Sequence, residues 1–111
     1  MSLVNKAQKV RDALESVTGL KSYHLFKPAS VKAPYAVWQE DSEGNSQHSD
    51  NIKTEQVLVV TIDYYTKSEY DTMTDNIQDA LNEAQISWFL NSFQYEQETK
   101  LLHYEWIARV I

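Results

Sequence analysis

Few side chains in this sequence can do chemistry. There are three histidines, His24, His48 and His103, among sixteen carboxylates. No two histidines stand at metal-ligand spacing, and no His-Glu-x-x-His run occurs. His48 with Asp50 offers at most a weak cation site. His103 and Glu105 alternate onto one face of a predicted strand, and Asp63 on another strand can lie beside them. A His–Asp pair suits general acid–base work. It also suits a cross-strand polar pair that supports a sheet, and that reading is favoured. Glu40, Asp41 and Glu43 gather at the start of a polar stretch, where a solvated acidic loop explains them better than a glycosidase pair in so small a chain. No Gly-x-Ser-x-Gly elbow is present. We therefore expect no enzyme: no catalytic, cofactor-binding or metal-binding residues.

Composition narrows the class. The chain has 111 residues, 42% hydrophobic and 23% charged, values of an ordinary globular domain. We expect one domain over 1–111. With no cysteine, disulfides and thiol catalysis drop out, and two glycines are too few for a phosphate-cradling loop. No apolar run reaches the ~18 residues that cross a bilayer, and no secretory leader is expected. Net charge is −6, unevenly placed: residues 1–32 carry +4 and residues 33–111 carry −10. That balance disfavours tight nucleic-acid wrapping. It is compatible with two solvated faces, or with oppositely charged surfaces meeting between copies.

The periodicities place the elements. Val4, Ala7, Val10 or Arg11, Leu14 and Val17 form one helical stripe, with Ser2 as cap and Gly19 beyond the end. Lys6, Lys9 and Arg11 should face water. A short extended piece, Tyr23 to Phe26, precedes Pro28, and Tyr35 to Glu40 reads as a strand. Residues 41–52 are the one long polar loop, expected to be poorly ordered in a monomer and ordered by a neighbour. Glu55 to Tyr65 is a β-branched strand with apolar residues on both faces. Ser68 with Asp71 predicts a capping box. It opens a helix to Ala84 whose stripe is Tyr70, Met73, Ile77, Ala80 or Leu81, and Ala84. A hairpin closes the chain. Ile86, Trp88 and Leu90 oppose Phe89 and Phe93 in its first strand. Leu102, Tyr104, Trp106, Ala108 and Val110 oppose Leu101, His103, Glu105, Ile107 and Arg109 in its second. The expected fold is α+β, a mainly antiparallel sheet of four to five strands with two helices packed on one face, in the order α-β-β-β-α-β-β. A sheet with two apolar faces and helices on only one of them calls for further cover, either another protein chain or loops that half-bury the second face.

Pro34-Tyr35-Ala36-Val37-Trp38, the acidic loop, Val60-Thr61-Ile62-Asp63-Tyr64-Tyr65-Thr66-Lys67 before an acidic amphipathic helix, and His103-Tyr104-Glu105-Trp106 together resemble the small tail-completion proteins of tailed phages and prophages, which are similar to tail terminators. The resemblance covers the chain from about Pro34, and the leading helix agrees with it. It implies a structural virion protein that caps the tail tube as a homo-oligomeric, often hexameric, ring and joins it to the head connector. It implies no cofactor, no sequence-specific nucleic acid and no membrane. The expected location is the virion tail, with assembly from monomers in the host cytoplasm. The matching positions are interface positions: Glu43, Asn45, His48 and Asp50 in the loop, and Asp63, Tyr65, His103 and Glu105 on the sheet. The other reading is a small binding or adaptor domain that self-associates through its sheet.

Overall fold

A computed structural model describes residues 2–44, 48–49, 52–53 and 56–111. Helix α1 (Leu3–Glu15) leads into strands β1 (Ser22–His24) and β2 (Tyr35–Glu43). The short strands β3 (His48–Ser49) and β4 (Ile52–Lys53) pair with each other. Then come β5 (Leu58–Thr66), helix α2 (Met73–Glu83), β6 (Ser87–Glu96) and β7 (Leu101–Val110). The main sheet runs β1-β2-β5-β7-β6 and is mixed, since β1 lies parallel to β2 and the other neighbours are antiparallel. This is the expected α+β fold. Part of the expected loop is strand: β2 runs on through Asp41, Ser42 and Glu43, with a bulge between Glu40 and Ser42.

Both helices lie on one sheet face. Strand β5 alternates strictly, with Leu58, Val60, Ile62, Tyr64 and Thr66 buried toward the helices. They pair with Val110, Ala108, Trp106, Tyr104 and Leu102 of β7, which extends the same row. Val10 and Leu14 of α1 and Ile77 and Leu81 of α2 close over it, all fully buried. Each such side chain contributes roughly 1.5–3 kcal/mol by leaving water. Trp106 is the largest of them, and its indole N–H donates to Gln78 Oε1 at 3.0 Å, which ties β7 to α2. On the opposite face the middle of β5 carries Val59, Thr61, Asp63 and Tyr65, half-buried rather than covered as a doubly buried strand would be. That face is mixed in polarity, not uniformly apolar.

Four local expectations fail. Lys6 is buried, not solvated: its stem lies along the core and its ammonium donates to the Gln56 carbonyl oxygen. Tyr70 is 88% exposed with a left-handed φ of 57°, because α2 begins only at Met73. Val4, in the first turn of α1, is exposed. The predicted Ser68–Asp71 box does not form. Asp71 Oδ1 instead accepts from the Met73 N–H at 2.9 Å, while Oδ2 takes the Tyr64 and Thr66 hydroxyls, each at 2.7 Å. Ser2 does cap α1, accepting from the Asn5 N–H at 3.1 Å. The helix ends at Glu15 with Ser16 as its cap, so Gly19, left-handed at φ 83°, serves the turn that follows and not the helix end.

Partial burial works against the charge on Asp71, but the bonds donated by Tyr64, Met73 and Thr66 outweigh it and hold its carboxyl below the ordinary aspartate range. A depressed folded-state pKa gives stability that is present above about pH 3.9 and is lost as pH falls through the folded value. Asp71→Ala should cost about 2 kcal/mol at pH 7, since it orphans the buried Tyr64 hydroxyl and uncaps α2. The difference from the parent should shrink below pH 4. Urea unfolding across pH 3–7 measures both.

Candidate functional site

The helix-free face carries the chain's densest group of polar and aromatic side chains. Register puts Tyr35, Tyr65 and His103 side by side across β2, β5 and β7. One step along, Val37, Asp63 and Glu105 align in the same way. The rings stack: Tyr35 on Tyr65 with centroids 5.1 Å apart, and Tyr65 on His103 at 4.3 Å. Lys27, in the segment after β1, sits over the Tyr35 ring at 5.2 Å. The row therefore runs from a cation at the β1 side to an imidazole at the centre of the sheet.

His103 lies between carboxylates. Its Nε2 is 2.7 Å from Asp63 Oδ1, and its Nδ1 is 3.4 Å from Glu96 Oε2. A doubly protonated ring donates to both, whereas a neutral one donates to one. Glu105 is held from the other side by the Asn91 side-chain amide, which donates at 2.8 Å. Burial raises the Asp63 pKa above the ordinary aspartate value, and the nearby Glu105 adds to this, while the His103 contact opposes it without cancelling it. Burial likewise pushes the Tyr65 phenol up to about 12, helped by the negative Asp63 and Glu96. Asp63, His103 and Glu105 offer three ligand atoms within 4.8 Å of one another, donors of the kind that hold a divalent cation. As folded, these donors are engaged with each other and with Asn91. That makes a cross-strand polar network set into a flat sheet face.

Of the expected positions, the structure brings Asp63, Tyr65, His103 and Glu105 together. Glu43 lies elsewhere, at the far end of β2 opposite Leu58, where its carboxylate accepts from Gln56 at 3.0 Å. His48 belongs to the β3–β4 pair, and Asn45 and Asp50 lie outside the described residues. Two clusters were not foreseen. His24 Nε2 meets Glu40 Oε1 at 2.5 Å and its ring stacks on Trp38 at 4.2 Å, because the parallel register sets His24 beside Trp38. Burial raises the Glu40 pKa, but the His24 contact brings it below its ordinary value overall. A groove of about 300 Å³ opens there, lined by Leu3, Val4, Arg11, His24 and Trp38.

The second unforeseen cluster is apolar. A bulge between Leu90 and Ser92 shifts the β6 register, so Phe93 joins Trp88 and Leu90 on the helix side instead of opposing them. Leu90, Phe93 and Tyr95 thus form one row beyond the reach of α2, each about half exposed (46%, 53% and 57%). Phe93 packs on Tyr104 at 4.6 Å, which holds the row to β7.

No protein-family model and no curated protein matches this chain. Solved structures do match. Among the 21 matching chains is one from the virion of a native gene transfer agent (GTA) particle. It superposes with a TM-score of 0.58 at 11% identity, over 95% of this chain and 89% of that one. At that identity the likeness is one of fold.

The raised pKa of Asp63 has a measurable consequence. A carboxyl whose folded pKa lies above its unfolded value contributes stability that is complete below about pH 3.9 and is lost as pH rises through the folded value. Asp63→Asn keeps the acceptor for His103 and removes the charge. It should match the parent at pH 3 and be more stable than the parent at pH 7 in urea unfolding. His103→Ala should instead cost about 1–2 kcal/mol at pH 7, because it leaves the carboxylates without their central partner.

Proposed function

We propose that this chain is a structural, non-catalytic protein of a phage-like virion. The observation that carries the reading is the superposition of nearly the whole fold on a virion chain of the gene transfer agent particle. The chain's own surface supports it. An apolar row on the edge strand β6 is left about half exposed, and the helix-free face of β2, β5 and β7 carries a half-buried polar–aromatic row. Open apolar rows on a small protein are typical of surfaces that other chains cover.

In the finer form of this reading, residues 1–111 act as one unit and copies close into a ring, with six-fold symmetry as the expectation. The ring caps the tail tube and meets the head connector. Asp63, Tyr65, His103 and Glu105, together with Glu43 and the segment holding Asn45, His48 and Asp50, contact neighbouring subunits or partner proteins there. An acidic chain suits a ring through which DNA passes, since a repulsive bore does not retain the duplex. Unlike surfaces meeting head to tail are what a closed ring needs.

Light scattering on the purified protein up to millimolar concentration, with negative-stain micrographs of the same samples, tests the proposal. The expected result is a rise in mass toward a closed oligomer and annuli in the images. A strict monomer throughout, with no annuli, overturns it.

A further inference from the structure

The two margins of the sheet differ in charge and share a surplus of exposed apolar side chains. The β1 margin is basic. Lys21, Lys27 and Lys32 fall within residues 20–34, which contain no carboxylate. Leu25 and Phe26 stand exposed there, Phe26 at 73%. The β6 margin is acidic. The turn of its hairpin, residues 96–101, carries Glu96 and Glu98 against the single Lys100, and the adjoining segment 69–83 has five carboxylates and no basic residue. The open row of Leu90, Phe93 and Tyr95 lies on that side.

We infer that the β6 margin of one copy docks on the β1 margin of the next, and this rests on the ring reading above. A second copy is the occupant that the charges select. Set against itself, the β6 margin brings carboxylates onto carboxylates, and the β1 margin brings lysines onto lysines. Only the unlike pairing joins opposite signs while covering both apolar clusters. Because the two surfaces differ, the contact is heterologous, the kind that closes rings rather than ending at a two-fold dimer.

The strands also say what kind of contact it is. β1 has three residues and β6 is bulged after Leu90, so a long shared ladder cannot form between them. Side-chain burial of Phe26 and Leu25 against Phe93 and Tyr95, with lysines facing Glu96 and Glu98, carries the affinity. The contact adjoins the polar row of the helix-free face, because Glu96 also meets His103 and Lys27 lies over the Tyr35 ring.

Charge reversal tests the pairing. One variant carries Lys21→Glu, Lys27→Glu and Lys32→Glu; the other carries Glu96→Lys and Glu98→Lys. Circular dichroism confirms folding of each, and sedimentation at graded concentrations reads association. Each variant alone should associate at least tenfold more weakly than the parent, and an equimolar mixture should recover parental association, because every contact in it joins opposite charges again. Phe93→Ser should weaken association without recovery in either mixture. A parent that associates while both reversed variants associate equally well overturns this interface and leaves the ring reading standing. A triple-lysine variant of parental strength beside a weakened glutamate variant overturns the unlike pairing in favour of β6 against β6. A parent that stays monomeric throughout overturns the ring reading and the interface with it.

Discussion

Two helices have to cover a five-stranded sheet, and they are too short to do so. α1 has thirteen residues and α2 has eleven, or roughly 20 and 17 Å of helix at 1.5 Å per residue. They pack over the middle of β2, β5 and β7, where Val60, Ile62, Trp106 and Ala108 are fully buried. Trp106 fixes the arrangement by filling the centre of this layer and holding α2 through Gln78. Asp71 fixes where α2 starts, since one carboxylate serves two hydroxyls of β5 and the first amide of the helix. With both helices pinned at the centre, Leu90, Phe93 and Tyr95 in the β6–β7 hairpin stay about half exposed.

The open surfaces follow from that placement. On the helix side, Leu90, Phe93 and Tyr95 project past α2. On the other side, where no helix lies among the described residues, the sheet bears a stacked row of Tyr35, Tyr65 and His103 with carboxylates around the imidazole. Half-exposed apolar side chains in a row on an edge strand are the kind of surface that another chain covers.

Much of this was legible in the residues. The alternation of β7, the cap at Ser2, the turn at Gly19 and the proximity of Asp63 to His103 all follow from period and spacing. What was not legible depended on single-residue shifts or on tertiary partners. One bulge in β6 moves Phe93 to the other face, and strict alternation cannot announce a bulge. Lys6 reads as a surface lysine until the carbonyl of Gln56, fifty residues away, proves to be its partner. Asp71 resembles half of a capping box until two β5 hydroxyls claim it. The parallel pairing of β1 with β2, which makes the His24–Trp38–Glu40 cluster, has no local signature in so short a strand.

The central claim is that the uncovered hairpin is finished by a neighbouring subunit. Amide hydrogen exchange, read peptide by peptide at micromolar and at millimolar protein, tests it most directly. The account predicts that slowing at the higher concentration concentrates in residues 87–96 and 22–32, with the centre of β5 protected at both. Identical exchange in those two segments at both concentrations, or slowing confined to other parts of the chain, would contradict it.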